Sequence, residues 1–227
     1  MAIDTALLDS APQGTAIFRH YGWTEPTITF GYAQRLNEVK TVVAEGIHLC
    51  RRPTGGGIVD HCNDWTYSLA LHSTLAAAHV PATKLYATLH QCIQQTLAGQ
   101  NIATQLAPCS RGCKQPHFKS QISNLKSPGP SQCFTLPVAN DVMYPNGQKL
   151  AGAAMKRTRQ GLLIQGSIDR GALPDTFDFQ DFGNALPEAF ANQLNLNLAE
   201  DHPPLPDEAR VEQERQRFES VNWTQRR

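Results

Sequence analysis

A glycine triplet two residues after a basic pair constrains this chain more than any other feature. The segment at 51–61 reads Arg-Arg-Pro-Thr-Gly-Gly-Gly-Ile-Val-Asp-His. Three consecutive glycines carry no Cβ, so the backbone there can approach a ligand very closely. Further along, the segment at 147–154 places one lysine, Lys149, among glycines and alanines. That setting suits a slim, partly apolar substrate, and the two segments together predict a binding site.

Length and charge limit the classes of protein to which the chain can belong. Its 227 residues are enough to bury a core, so we expect a single domain over 1–227. Twenty basic and twenty acidic residues leave no net charge, which argues against a nucleic-acid partner. No apolar run approaches a membrane span, and the first residues lack the layout of a signal peptide. We therefore expect a cytoplasmic protein with no membrane partner.

The cysteines do not indicate disulfides, because a chain of this size without a signal sequence usually keeps its thiols reduced. Cys109 and Cys113, followed by His117, have the spacing of metal ligands. A structural zinc site requires four ligands, and the sequence offers no evident fourth nearby. We interpret these residues as incidental members of a surface loop and expect no metal at the site, with a metal centre as the alternative.

Periodicity predicts the first helices and strands. Residues 2–10 have the pattern of a short helix with Ile3 on its apolar face. β-Branched and aromatic residues over 16–33 predict two strands joined by a turn. Over 65–72 large apolar residues alternate with small or polar ones. One face of that strand can therefore enter a core, while the other can line a narrow pocket.

The rest of the chain reads as a mixed α/β protein. Apolar residues at four-residue spacing predict a helix over 83–98. Prolines, glycines and lysines make 105–132 a variable loop, either a lid over a site or a plain surface insertion. Residues 200–227 form a polar C-terminal segment that ends in a charged helix. The remaining strands are expected at 133–143, 148–158 and 161–168.

The two glycine-containing segments together resemble the lipoate–biotin acyltransferase and ligase superfamily, whose members attach acyl cofactors to a lysine of a carrier domain. The match is closest on the lipoate side, where the pattern Arg-Arg-x-Thr-Gly-Gly-Gly-x-Val-x-His fills 51–61 without a gap. Four further segments resemble parts of the family: 2–8 its opening helix, 21–34 its first strand pair, 163–168 the strand after the lysine, and 218–223 its C-terminal signature. The resemblance implies a biotin/lipoate ligase-like α+β fold, with a larger and a smaller β-sheet flanked by helices.

Two residues are expected to carry catalysis. By spacing alone Lys149 reads as a solvated lysine at a hairpin end, because Asn146-Gly147 is a strong turn signal. The resemblance places it instead where the family's lysine contacts the carbonyl or acyl-phosphate end of the substrate. An ammonium there can stabilise charge on an acyl oxygen. Cys133, in a Cys-Phe pair before Lys149, resembles the nucleophile of cysteine-dependent octanoyltransferases, with a buried structural cysteine as the alternative.

Residues of both segments are expected to form the wall of the acyl site. The glycine amides would approach the carbonyl end of the acyl group, while the arginine pair would brace the loop or meet an anionic donor. His61 beside Asp60 suggests a Cys–His–Asp triad, but the resemblance pairs the cysteine with a lysine, so we expect His61 in the wall. Small residues after Lys149 would either pack closely or leave a channel for an eight-carbon tail. The expected substrate-binding residues are Arg51, Arg52, Thr54, Gly55, Gly56, Gly57, His61, Gly152, Ala153 and Ala154.

The resemblance implies an octanoyl transferase in protein lipoylation. Cys133 would take the acyl group from a carrier-protein thioester, and a target lysine would then take it from Cys133, with no cofactor. The implied partners are octanoyl-acyl carrier protein, the lipoyl domains of 2-oxoacid dehydrogenases and the glycine cleavage H protein. An octanoyl amidotransferase acting between lipoyl domains would use the same chemistry.

Other interpretations stay open. A lipoate–protein ligase would form an acyl-adenylate and require ATP and Mg²⁺. Family ligases often need an accessory C-terminal domain, and the sequence leaves no room for one after Trp223, so a transferase is favoured. A biotin ligase is disfavoured because its glycine–arginine-rich loop is replaced at 51–61. A non-catalytic carrier-domain binder should have lost the lysine or the glycines, and this chain keeps both, which disfavours that interpretation. After Gly152-Ala153-Ala154 this chain has Met155 and Lys156, where the family more often has a glutamine. This difference affects what can be expected of donor or acyl preference.

Overall fold

The computed structural model describes residues 1–108, 137–199 and 206–226. Most of the expected variable loop therefore lies outside the described residues. Also outside them are Cys109, Cys113, His117 and Cys133. None of the helices within the described ranges is both long and apolar enough to cross a membrane.

Six strands form the larger sheet. They are β1 (Ala16–Tyr21), β5 (Asp64–His72), β6 (Gln105–Leu106), β7 (Val142–Met143), β8 (Lys149–Arg157) and β9 (Gly161–Asp169). Their order across the sheet is β1, β5, β9, β8, β7, β6, and every neighbouring pair is antiparallel. The long strands β5, β8 and β9 lie next to one another and carry most of the residues discussed below.

Three short strands form the smaller sheet. They are β2 (Thr27–Phe30), β3 (His48–Arg51) and β4 (Val59–Asp60). The central strand β2 runs parallel to β3 and antiparallel to β4. The pattern over 16–33 correctly predicted two strands, but the expectation that they pair is wrong. β1 pairs instead with β5, which offers it six partner residues, more than the four residues of β2 could.

Helices cover both faces of the larger sheet. They are α1 (Ala2–Ser10), α2 (Leu36–Lys40), α3 (Ala82–Gly99), α4 (Phe179–Leu194), α5 (Glu208–Glu219) and α6 (Val221–Thr224), with 3₁₀ turns at Ala76–His79 and Arg170–Ala172. α3 and α4 pack together against one face, which we call the apolar face. α1 packs against the opposite face and against α5. We call this second face the polar face; it also meets the loop that joins β3 to β4.

The alternation predicted for β5 is what separates the two faces. Trp65, Tyr67, Leu69 and Leu71 join the apolar core with α3 and α4. On the other side Ala70 packs with α1, and the hydroxyls between these residues donate to carboxylates. A buried polar group is stable only when it is hydrogen-bonded. The polar face is therefore a surface of hydrogen-bonded polar groups rather than a second apolar core.

Two expectations for local structure need correction. α1 spans the predicted residues, but Ile3 is 39% exposed while Asp4 is fully buried. Asp4 turns toward the polar face because donors from three strands meet it there. The strand expected over 133–143 is confined, among the described residues, to Val142–Met143. A turn precedes it, with Asn140 at φ +69°.

Gly166 in β9 lies directly over the buried ring of Tyr67, so a Cβ at this position would overlap that ring. We expect Gly166→Ala to lower the free energy of unfolding by about 1–3 kcal/mol, because overpacking a core forces its neighbours to shift. Urea denaturation measures the change. Gly99→Ala is the control, since a Cβ there meets no atom within 4 Å. Equal stability of the two variants would contradict the expectation.

Candidate active site

The glycine triplet forms a loop that Arg52 holds from within. Arg52 Nη2 donates to the carbonyl oxygens of Gly55 at 2.9 Å and Gly57 at 2.8 Å. Gly56 has φ +87°, a conformation that glycine adopts without strain. A Cβ at Gly31 would overlap the Gly56 carbonyl oxygen, so this neighbouring position also requires glycine. The triplet predicts a close approach to a ligand, whereas the close approach seen in the structure is made to the chain itself at Gly31.

A chain of hydrogen bonds continues from the loop to the start of β5. Arg52 Nη1 donates to Thr29 Oγ1 at 2.7 Å, and that hydroxyl lies 2.7 Å from His61 Nε2. His61 Nδ1 lies 2.7 Å from Asp64 Oδ2. A carboxylate can only accept, so His61 Nδ1 donates to Asp64, while Nε2 shares a hydrogen bond with the Thr29 hydroxyl. Both ring nitrogens of His61 are thus engaged within the chain: Nε2 supports Arg52 through Thr29, Nδ1 is held by Asp64, and neither is directed at a substrate as a general base.

Arg51 is fully buried, and all five of its N–H groups donate to backbone carbonyls. The bonds are 2.6–3.0 Å long, and the acceptors belong to Tyr32, Gln34, Trp223, Thr224 and Arg226. Trp223 Nε1 donates back to the Arg51 carbonyl at 2.9 Å. Arg51 therefore ties the residues after β2 to the C-terminal helix α6. With every N–H engaged, it braces the chain next to the loop and has no donor left for an anionic donor substrate.

Thr54 connects the glycine loop to the polar face. Its hydroxyl donates to Gln165 Oε1 at 2.9 Å, and Gln165 Nε2 donates to Asp4 Oδ2 at 2.7 Å. Asp4 also accepts from Ser68 at 2.9 Å and Arg19 at 2.6 Å. Burial by itself raises the pKa of the Asp4 carboxyl, but the positive charges of the amino terminus and Arg19, with the Gln165 hydrogen bond, bring it below its ordinary value. An ionised carboxylate thus bonds α1 to the sheet beneath the loop.

Lys149 begins β8 directly after the predicted turn, where Gly147 has φ +91°. It is only 8% exposed, and its Nζ lies 2.8 Å from Asp141 Oδ2. A Cβ on Gly152 would lie 2.8 Å from both Cε and Nζ of Lys149. The lysine side chain therefore folds over Gly152, in room that only glycine leaves. The interpretation of Lys149 as a solvated turn residue is wrong.

The small residues after Lys149 divide between the two faces of the sheet. Ala154 lies below the loop, because a Cβ at Gly56 would be 3.6 Å from the Ala154 Cβ. Ala153 packs against the apolar core, and its amide donates to Tyr86 Oη at 3.2 Å. Successive side chains of a strand point to opposite sides. Gly152 and Ala154 can therefore border the space beside the loop, whereas the Ala153 side chain faces away from it.

Several residues that hold these groups were not singled out by their sequence context. They are Asp4, Thr29, Tyr86, Asp64, Asp141 and Gln165. A carboxylate within an apolar helix was a readable signal for Asp4, since buried carboxylates need partners. Cys133 lies outside the described residues. Within the described ranges, no group of three or more His, Cys, Asp or Glu side chains could hold a metal ion.

A cleft of about 590 Å³ opens elsewhere, between the ends of β1 and β5 and the start of α4. Its lining includes His20, Trp65, Arg170 and Phe179. It shares Asp64 with the hydrogen-bond chain described above, but neither the glycine triplet nor Lys149 borders it. The candidate site is therefore defined by the chemistry of the two glycine-containing segments and not by this cleft.

This combination of fold and loop is found in known proteins. Residues 1–191 match the model of the lipoyl protein ligase A/B catalytic domain, and the chain belongs to that family. It is similar to the octanoyltransferase LipM of Geobacillus kaustophilus, with 31% identity over 74% of this chain and 59% of that protein. The octanoyltransferase LipM of Staphylococcus epidermidis is 30% identical over 81% of this chain and 66% of that protein. The chain thus spans less than two thirds of the length of these curated relatives.

Solved structures confirm the expected fold. Lipoate-protein ligase A bound with ATP superposes with a TM-score of 0.72 at 19% identity, covering 99% of this chain and 92% of that one. Protein Ta0514 from T. acidophilum with bound lipoic acid gives a TM-score of 0.71 at 20% identity, covering 100% and 92%. The α+β architecture with a larger antiparallel sheet, a smaller sheet and flanking helices is therefore that of the lipoate ligases.

The contacts of Arg51 predict what holds the C-terminal helix in place. Arg51→Met would leave five backbone carbonyls without their charged donor, and we expect a loss of about 3 kcal/mol or more in the free energy of unfolding. Amide hydrogen exchange in Val221–Thr224 should accelerate with it. Arg215→Met makes the same change on the exposed side of α5, where the ion pair with Glu212 is solvated. If both variants leave exchange in α6 unchanged, Arg51 does not anchor that helix.

Proposed function

We propose that this chain transfers an octanoyl group from a carrier-protein thioester to a lysine of a lipoyl domain. Family membership and the curated relatives named octanoyltransferase LipM support the reaction class. The observation that carries the proposal is the buried Lys149 ammonium at the start of a strand that passes under the glycine loop at Ala154. Gly152, under that ammonium, and Ala154, under the loop, are two strand residues apart, about 7 Å. We propose that the acyl carbonyl binds within this interval.

The proposed chemistry has two steps that share one nucleophile. The Cys133 thiolate attacks the carbonyl carbon of the octanoyl thioester, and the resulting oxyanion collapses to expel the carrier thiolate. The amine of the target lysine then attacks the octanoyl-Cys133 thioester. It expels the Cys133 thiolate and gives up a proton as the amide forms. Lys149 and the glycine amides would stabilise the oxyanion in both steps.

The second candidate is a lipoate–protein ligase. Its support is the structural likeness to lipoate-protein ligase A bound with ATP. A ligase starts from a free carboxylate, whose leaving group is effectively oxide, so it must couple transfer to ATP. A thioester already carries a good leaving group and needs no nucleotide. An amidotransferase that moves octanoyl between lipoyl domains would share the Cys133 chemistry and differ only in the donor.

The proposed donor is octanoyl-acyl carrier protein. The proposed acceptors are the lipoyl domains of 2-oxoacid dehydrogenases and the glycine cleavage H protein, and the proposed location is the cytoplasm. The Asp4–Gln165–Thr54 network lies on the same face of the sheet as Ala154. It would limit how far an acyl tail can extend below the loop, because a methylene chain gains nothing from bonded polar groups.

We expect Cys133 to become acylated. Incubation with octanoyl-acyl carrier protein should add one octanoyl mass to the intact protein, and hydroxylamine should remove it because thioesters are cleaved by that nucleophile. The adduct should disappear in Cys133→Ser and persist in Cys62→Ser, which changes an exposed cysteine of the turn before β5. Full transfer activity in Cys133→Ser would return Cys133 to a structural role.

We also expect modification of a lipoyl domain from octanoyl-acyl carrier protein without nucleotide. Free lipoate with ATP and Mg²⁺ should give no product with this chain alone. Mass spectrometry of the acceptor domain measures both reactions. An octanoylated lipoyl domain offered as donor tests the amidotransferase in the same assay. Lipoylation from free lipoate and ATP that survives Cys133→Ser would place the chain with the ligases.

A further inference from the structure

Asp141 lies behind Lys149 and is enclosed by donors. It is fully buried, with 0% of its surface exposed. Oδ1 accepts the hydroxyl of Tyr86, while Oδ2 accepts the amide of Val138 at 2.6 Å and lies 2.8 Å from Lys149 Nζ. Because both oxygens are engaged, Asp141 cannot collect a proton from a substrate without breaking these bonds. Its place suits holding the lysine rather than acid–base chemistry.

Helix α3 fixes the corner of chain that carries Asp141. Tyr86 and His90 lie one turn apart on the same side of α3, with their rings 4.0 Å apart edge to face. Tyr86 binds the Asp141 carboxylate, and His90 Nδ1 lies 2.7 Å from the Asn140 carbonyl oxygen. Burial lowers the pKa of His90 to about 4, so the ring is neutral and adds no charge that competes with Lys149. Tyr86 and His90 thus hold Asn140 and Asp141 by hydrogen bonds without adding a charge.

The sheet supplies the other half of the arrangement. The pairing of β7 with β8 shifts register beside Lys149, with Met143 opposite Lys149 and Val142 opposite Ala151. A lysine three residues before Gly152 would normally point to the opposite face, and this irregularity lets its side chain cross over that glycine. Tyr86 Oη also accepts the amide of Ala153, so one hydroxyl joins the strand to Asp141.

We propose that Asp141 is the positioning residue for Lys149. Tyr86 and His90 hold Asp141 in place, and this arrangement directs the Lys149 ammonium at the reacting acyl oxygen. The inference rests on the proposed octanoyl transfer and assigns that reaction a residue beyond the lysine and the cysteine. Asp141 does not touch the substrate. It acts by fixing the direction of Lys149, because transition-state stabilisation depends on donors that are already oriented.

A double-mutant cycle tests the proposal, because a residue that acts only through Lys149 loses its effect when Lys149 is gone. Single-turnover octanoyl transfer would be measured for Asp141→Asn, Lys149→Met and the double variant. Asp141→Asn preserves shape and the acceptor for Val138, and we expect a rate loss of about tenfold to a hundredfold with KM little changed. In the Lys149→Met background the same substitution should cost less than about twofold.

Two further variants sharpen the result. Tyr86→Phe keeps the ring against His90 but removes the hydroxyl, so it should give a smaller loss that also vanishes without Lys149. Asp175→Asn changes an exposed carboxylate and should leave the rate unchanged. If the rate losses of Asp141→Asn and Lys149→Met multiply in the double variant, Asp141 has a general structural role and the proposal is overturned. A normal rate in Asp141→Asn would also overturn it. If the unmodified protein transfers no octanoyl group, the proposed function fails first, which is a separate outcome.

Discussion

Two adjacent arginines hold the glycine loop, and the rest of the site depends on that support. A loop of three glycines has little intrinsic preference for one shape, since glycine loses more backbone freedom on folding than any other residue. Arg52 fixes it through the carbonyls of Gly55 and Gly57. Arg51 fixes the surrounding chain through five carbonyls, two before the loop and three near the C-terminus. Burial lowers the pKa of the Arg51 guanidinium, and full hydrogen bonding offsets the cost of taking its charge out of water.

The two faces of the larger sheet are stabilised by different interactions. Tyr67 and its neighbours bury large side chains against α3 and α4, and this apolar core needs no directional contacts. The opposite face carries bonded polar groups around Asp4 and Asp64. Buried polar networks specify one geometry, because each unmade bond is expensive in a medium of low dielectric. An acyl carbonyl that enters beside the loop would thus meet groups whose directions are already set.

Lys149 and the loop are supported by separate parts of the fold. The loop is braced from the smaller sheet and the C-terminal helices, whereas Lys149 is braced by Asp141 and helix α3. Gly152 and Ala154 lie between the two supports on one strand. In the proposed reaction, keeping the oxyanion donors on different elements would let each be fixed by its own packing, and preorganised donors need no rearrangement as charge develops. This division explains why the site can be formed from two short segments far apart in sequence.

Sequence alone determined several of the helices and strands and the turn before Lys149. The alternation over 65–72 predicted which side of β5 enters the core, and Asn146-Gly147 predicted the turn before Lys149. Those signals are local, because a strand's period and the positive φ of a glycine depend on neighbouring residues. Only tertiary structure decided that β1 and β2 separate into different sheets, that Arg51 and His61 brace the chain, and that Asp141 pairs with Lys149. Those outcomes depend on which donors and acceptors meet across the fold, and a buried charge leaves no local pattern that names its partner.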